Sequence, residues 1–184
     1  MSLLMFVPGI CVVGEKLGMD ATEDIRILVL LWKLGASEKP AQISKQEFIS
    51  GCAKLEVDSW AKMKKLLPSL DTGFLETKEF KDFYKFCFQF NRQGTHKTLD
   101  KELTVALLKL VLGNDNRIPD DRLGSFCSFL ESSSHSHVTL DEWTLFLDFC
   151  YECQDLSAYD ESTSAWPVLF DEYVEYTEKQ QAKK

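Results

Sequence analysis

The 184-residue sequence predicts an all-α fold, and three observations carry that expectation. Apolar residues recur at three- and four-residue spacing along most of the chain. Pairs that open helices, a Ser or Thr with Glu three residues on, stand at Ser44/Glu47 and Thr139/Glu142. No run of alternating apolar and polar residues stands out as a half-buried strand.

Each element follows in order. The opening Leu3–Val13 stretch is apolar, but it lacks a basic leader and a small-residue cleavage pattern, and Pro8-Gly9 interrupts it. It is also too short to cross a bilayer, so it reads as a buried first helix or edge segment. Asp20-Ala-Thr-Glu23 opens a helix carrying Ile25, Ile27, Leu28, Leu30, Leu31, Trp32 and Leu34. It is apolar almost all round, hence central, and Gly35 stops it. Ser44 and Glu47 form a capping box for the next helix, with Ile43 and Phe48 as its hydrophobic staple. A third helix covers Ser59 to Leu67, ahead of Pro68. Thr77 to Phe90 is an aromatic-rich core helix with Phe80, Phe83, Tyr84, Phe86, Phe88 and Phe90.

Asp100 can cap the following helix, which sets Leu103, Ala106, Leu107, Leu110 and Val111 on one face and ends at Gly113. Pro119 suits the first turn of a helix reaching about Glu131. Thr139 and Glu142 cap the next, with Val138 and Trp143 as staple. Pro167 starts a last helix through Tyr176, and Glu178–Lys184 is a frayed polar tail.

The length suits one domain or two tightly fused halves. A net charge of −8 argues against nucleic acid, which needs a basic face, and fits a basic protein partner better. The six cysteines are scattered among apolar neighbours and read as reduced core residues. Cys150 and Cys153 form a CxxC at the end of a helical pattern, whereas a redox pair opens a helix after a strand. A zinc site would need a second ligand pair, so no metal or cofactor is expected. There is no glycine-rich phosphate loop and no nucleophile elbow. Cys150 or Cys153 with His135 would be the best nucleophile and base, but helical packing accounts for both thiols.

Three segments share a frame of an apolar residue, three variable positions, glutamate and an aromatic: Ile43–Phe48, Leu75–Phe80 and Val138–Trp143. The frame matches the second half of an EF-hand loop, where the bidentate glutamate stands at position twelve. The positions expected to supply the first ligands hold Ala36, Glu38 and Pro40 in one loop. They hold Pro68, Leu70 and Thr72 in the second, and Glu131, Ser133 and His135 in the third. Calcium needs six to eight oxygens, and these loops have lost most of their carboxylates. Each glutamate is therefore expected to cap its helix, giving EF-hand-like motifs that do not bind calcium. The alternative reading is a calcium-binding EF-hand-like regulatory protein.

The C-terminal third is the most distinctive: Val138-Thr-Leu-Asp-Glu-Trp-Thr-Leu-Phe-Leu-Asp-Phe149, then Tyr159-Asp-Glu, then Ala165-Trp-Pro-Val-Leu-Phe-Asp-Glu-Tyr-Val-Glu-Tyr176. With Ser44-Lys-Gln-Glu-Phe48 and Phe80-Lys-Asp-Phe-Tyr84, it resembles the potentiating-neddylation (PONY) domain of the defective-in-cullin-neddylation family. The similarity covers residues 9–177, leaving 1–8 as an N-terminal segment and 178–184 as the tail.

The resemblance implies a bilobed helical fold and a non-catalytic scaffold acting in cullin neddylation, a monomer in the cytoplasm and/or nucleus. Its partners would be a cullin, through the C-terminal winged-helix domain with its RING partner, and the neddylation conjugating enzyme with an acetylated N-terminus. Neither membrane nor nucleic acid would be a partner. Cullin binding is implied for Asp141, Ala165 and Asp171. The aspartates would offer charge-assisted hydrogen bonds to lysine or arginine, and the small alanine would admit the partner.

An apolar pocket for the acetylated methionine is implied at Ile10, Ile27, Leu30, Leu31, Leu34, Ile43, Phe90, Leu107 and Leu110. Acetylation removes the terminal charge and with it an ion-desolvation penalty. Two departures stand out. Leu107 replaces a tyrosine, and the Gly35–Gln42 loop is lengthened beside the pocket. Some members carry a ubiquitin-binding domain ahead of this one, and nothing in these residues corresponds to it.

Overall fold

The computed structural model describes residues 8–92, 96–113, 117–160 and 165–182, and among them nine α-helices and two three-residue strands carry the fold. The chain divides into two compact units, residues 1–99 and 100–184. Among the described residues no helix is long and apolar enough to cross a membrane.

The first unit holds α1 (Pro8–Leu17), α2 (Arg26–Leu34), α3 (Lys45–Lys54), α4 (Trp60–Leu66) and α5 (Thr77–Asn91). Helix α2 is central, as its all-round apolar pattern predicts. Ile27, Leu28, Val29, Leu30, Leu31 and Leu34 are buried, and α3 and α5 pack against it. It starts later than Asp20-Ala-Thr-Glu23 predicts. The Asp20 carboxylate accepts the Thr22 N–H at 2.8 Å and closes a separate turn, while Asp24 accepts the Arg26 N–H at 3.0 Å. Two acids compete for the local backbone, and the second wins the helix.

Gly35 ends α2 at φ 82°, the left-handed conformation glycine adopts without strain. Gly51 lets α3 cross α2 at backbone contact: a Cβ there would lie 2.4 Å from the Leu34 carbonyl oxygen. Helix α5 supplies the aromatic core, with Phe83 5.7 Å from Trp32 and Phe86 stacked 5.2 Å from Phe90.

The second unit holds α6 (Lys101–Leu112), α7 (Asp120–Ser132), α8 (Leu140–Glu152) and α9 (Val168–Gln181). The strands β1 (Thr98–Asp100) and β2 (His137–Thr139) pair, a short element too brief to show as alternation. Asp100 stands at the N-cap of α6 without capping it, because its carboxylate meets His137 at 3.2 Å. The core is aromatic again: Phe126 stacks on Phe146 at 4.1 Å, Phe149 on Phe170 at 4.9 Å, and Tyr173 stands edge-on to Phe126 at 5.1 Å. Helix α9 runs past Tyr176 to Gln181, into the stretch expected to fray. The Glu175–Lys179 pair at 2.7 Å supports the added turn.

Charge divides unevenly. Lys and Arg number 14 against 12 Asp and Glu in residues 1–99, and 7 against 17 in residues 100–184, so the units carry +2 and −10.

Candidate functional site

The acidic residues singled out in the sequence lie in the second unit. Asp141 is exposed in the first turn of α8, directly after the Thr139 cap. Ala165 is exposed ahead of α9, in a segment anchored by Trp166. That indole stands edge-on to Phe149 at 5.6 Å and to Phe170 at 6.2 Å. Asp171 is half-buried and accepts a hydrogen bond from the Tyr159 hydroxyl, whose ring packs edge-on to Phe149 at 5.8 Å.

Asp171, the fourth residue of α9, lies further into its helix than Asp141, the second residue of α8, yet both aspartates sit in first turns. Both therefore gain from the positive end of a helix dipole. His135 meets Glu172 at 2.7 Å, tying the segment before α8 to α9. Phe149 thus gathers the supports of Ala165 and Asp171, while Asp141 stands at the opposite end of the same helix α8.

Two residues of this site escape sequence reasoning. Tyr159 is visible as part of a motif, but its bond to Asp171 spans twelve residues and has no local signal. Arg122 reads as a surface charge yet is buried. It donates to the carbonyls of Cys153 at 2.8 Å and Gln154 at 3.0 Å, closing the C-terminus of α8, and lies 5.7 Å over the Phe149 ring.

The thiols point away from nucleophilic chemistry. Burial pushes Cys150 up to about 12, Cys127 up to about 11, and Cys153 upward as well, whereas a reactive cysteine needs its thiolate favoured. The imidazole of His135 is engaged by Glu172. Among the described residues no group of three His, Cys, Asp or Glu side chains is placed to hold a metal ion.

The three glutamates of the repeated frame all bond backward to the start of their own helices. Glu47 accepts the Ser44 N–H at 2.8 Å, Glu79 that of Glu76 at 3.3 Å, and Glu142 that of Thr139 at 2.7 Å. Glu47 also accepts the N–H groups of Ser37 at 2.6 Å and Glu38 at 2.9 Å. Burial alone would raise its carboxyl. The N–H groups of Ser44, Ser37 and Glu38 and the Ser44 hydroxyl outweigh that and hold it at about 2.

The apolar set divides between the units. Ile10, Ile27, Leu30, Leu31, Leu34 and Phe90 are buried in the first, with Ile43 half-buried; Leu107 is buried and Leu110 half-buried in the second. Within the first unit the Gly35–Gln42 loop closes over α5, where the Ala41 N–H donates to the Phe90 carbonyl at 2.6 Å. Beneath it lies a cavity of about 160 Å³ walled in part by Ala36, Pro40, Phe86, Phe90 and Arg92. Of the nine pocket residues, Phe90 alone lines this cavity. Arg92 also lines this cavity, and its Nε is buried without a hydrogen-bond partner among the described residues.

Comparison with known proteins sets these features in a family. The cullin-binding family model matches residues 62–176, which include Asp141, Ala165 and Asp171. DCN1-like protein 5 of Bos taurus is 33% identical over 169 residues, covering 91% of this chain and 69% of that protein. DCN1-like protein 4 of Drosophila melanogaster is 32% identical over 170 residues, covering 92% and 66%. DCN1-like protein 4 of Homo sapiens is 34% identical over 168 residues, covering 90% and 55%. The chain thus spans between about half and two thirds of these relatives. Matched over most of its length by both the family model and these relatives, the chain belongs to the cullin-binding family of DCN1-like proteins.

Proposed function

We propose that this chain is a non-catalytic scaffold in cullin neddylation, holding a cullin and the charged conjugating enzyme together. The bond chemistry belongs to the conjugating enzyme. The scaffold raises the effective concentration of its thioester beside the acceptor lysine. The domain spans residues 9–177 and works as a monomer.

The observation that carries this reading is Asp171. Its carboxylate is held by Tyr159 in the first turn of a helix, inside the family-matched segment and in a unit of charge −10. Such a group accepts charge-assisted hydrogen bonds from a basic surface, here that of the cullin winged-helix domain. Calorimetric titration with that domain at two salt concentrations tests it. Saturable binding that salt weakens, and that Asp171→Lys reduces at least about a hundredfold, is expected. Unchanged affinity in a folded Asp171→Lys variant would move the cullin surface elsewhere.

The helix–loop–helix of α7, β2 and α8 supports an EF-hand-like architecture. Val138 is buried in the strand, and the Glu142 carboxylate, which a calcium loop would turn to its ion, accepts the Thr139 N–H instead. For the conjugating enzyme, the acetylated methionine would enter beside Phe90. Arg92 lines that cavity, and its Nε–H, without a partner among the described residues, is a donor for the acetyl carbonyl, a polar contact made without the tyrosine that Leu107 replaces.

A further inference from the structure

A second surface lies in the first unit, among residues that neither the acidic site nor the peptide cavity uses. Helices α3 and α4 wall a groove of about 490 Å³. Its lining is mainly apolar, from Phe48, Ile49 and Cys52 of α3, Val57 of the connection, and Trp60 and Met63 of α4. Ile49 is 51% exposed and Trp60 40%, so two large apolar side chains stand in water at one depression. Such a cluster marks a contact surface more than single exposed residues do.

Core packing accounts for Val57 and Met63, which are buried, but not for the exposed Ile49 and Trp60. Gly51 seats the other side of α3 against the α2 backbone, and α4 packs against α1. The groove therefore has two braced walls, the geometry that receives a third helix.

Its charge selects the visitor. Lys45 lies three residues before Phe48 and four before Ile49, and Lys64 lies four after Trp60. Both therefore stand beside the apolar stripe on its own helix face. Both are exposed, and neither makes an ion pair among the described residues. Asp58, the acid in the lining, is engaged by Lys62 at 2.6 Å. We propose that the α3–α4 groove docks an acidic, amphipathic helix of a partner protein, its apolar side chains between Ile49 and Trp60 and its carboxylates on Lys45 and Lys64.

The test uses a fluorescein-labelled amphipathic peptide of about four helical turns, with Leu and Phe at i, i+3, i+4 and i+7 and Glu elsewhere. A twin with Lys replacing Glu serves as control. Anisotropy titration of the full chain should show saturable binding of the acidic peptide and at least about tenfold weaker binding of the lysine twin. Amide chemical shifts should move within residues 45–64. Ile49→Glu, at a half-exposed position that spares the fold, should weaken binding about tenfold or more, and Lys64→Glu should narrow the preference for the acidic peptide. The proposal is overturned by no saturation up to about 1 mM, by equal affinity for the twins, or by shifts outside the groove. It is overturned too if sedimentation shows a dimer that Ile49→Glu dissociates, since the occupant would then be a second copy of this chain.

Discussion

Asp171 is held by a neighbour. A carboxylate on a helix surface samples several rotamers, and the Tyr159 hydroxyl holds this one in place before any partner arrives. Tyr159→Phe removes one oxygen and keeps the ring against Phe149. We expect it to weaken binding of the cullin winged-helix domain about tenfold without lowering the melting temperature by more than a few degrees. The informative comparison is a double-mutant cycle. The Tyr159→Phe loss should vanish in an Asp171→Ala background, and a loss of equal size there would show that Tyr159 acts by another route. At this scale the sequence is half transparent. Asp141, Ala165 and Asp171 are legible as residue types in a motif. The pairing with Tyr159, and the burial of Arg122 on the carbonyls of Cys153 and Gln154, are not. Both depend on side chains meeting across a loop that no periodicity describes.

At the scale of the element, helix starts were readable where a side chain and its backbone partner lie three residues apart, as at Ser44/Glu47 and Thr139/Glu142. The start of α2 was not, because Asp20 and Asp24 offer competing turns and only geometry decides between them. Glu47 shows how much one cap can carry. Its carboxyl is held at about 2 in the folded chain, against an ordinary value of 4.5, so folding favours the ionised form. The stabilisation is complete above pH 4.5 and disappears as pH falls from there towards 2. Glu47→Gln should cost about 1 kcal/mol at neutral pH. The gap in melting temperature between the two proteins should then close on acidification across that window. A gap independent of pH would mean that the carboxylate charge contributes nothing.

For the molecule as a whole, the net charge of −8 conceals a division that composition cannot reveal, since +2 and −10 fall on different units. The proposed scaffold, with two partners, needs surfaces that do not interfere. The acidic site is confined to one unit, while most of the apolar pocket set, with the Phe90 cavity, belongs to the other. An acetylated peptide from the conjugating-enzyme N-terminus should bind at least about tenfold more tightly than its unacetylated twin, and Asp171→Lys should leave that ratio intact. Equal affinity of the two peptides in calorimetry would remove the methionine pocket from the scheme. All-helical architecture was legible from periodicity and a two-part chain was expected from the resemblance, whereas the place of the division after Leu99 and the packing of α3 on α2 emerge only in three dimensions. That packing bears on how the family can vary. The joint where Gly51 meets the Leu34 carbonyl admits no side chain at all, while the loop that leaves Leu34 is tethered by Glu47 and Ala41 to residues that stay put. Insertions of different length can therefore accumulate between Gly35 and Gln42 over evolutionary time without shifting either helix, provided one glycine is kept.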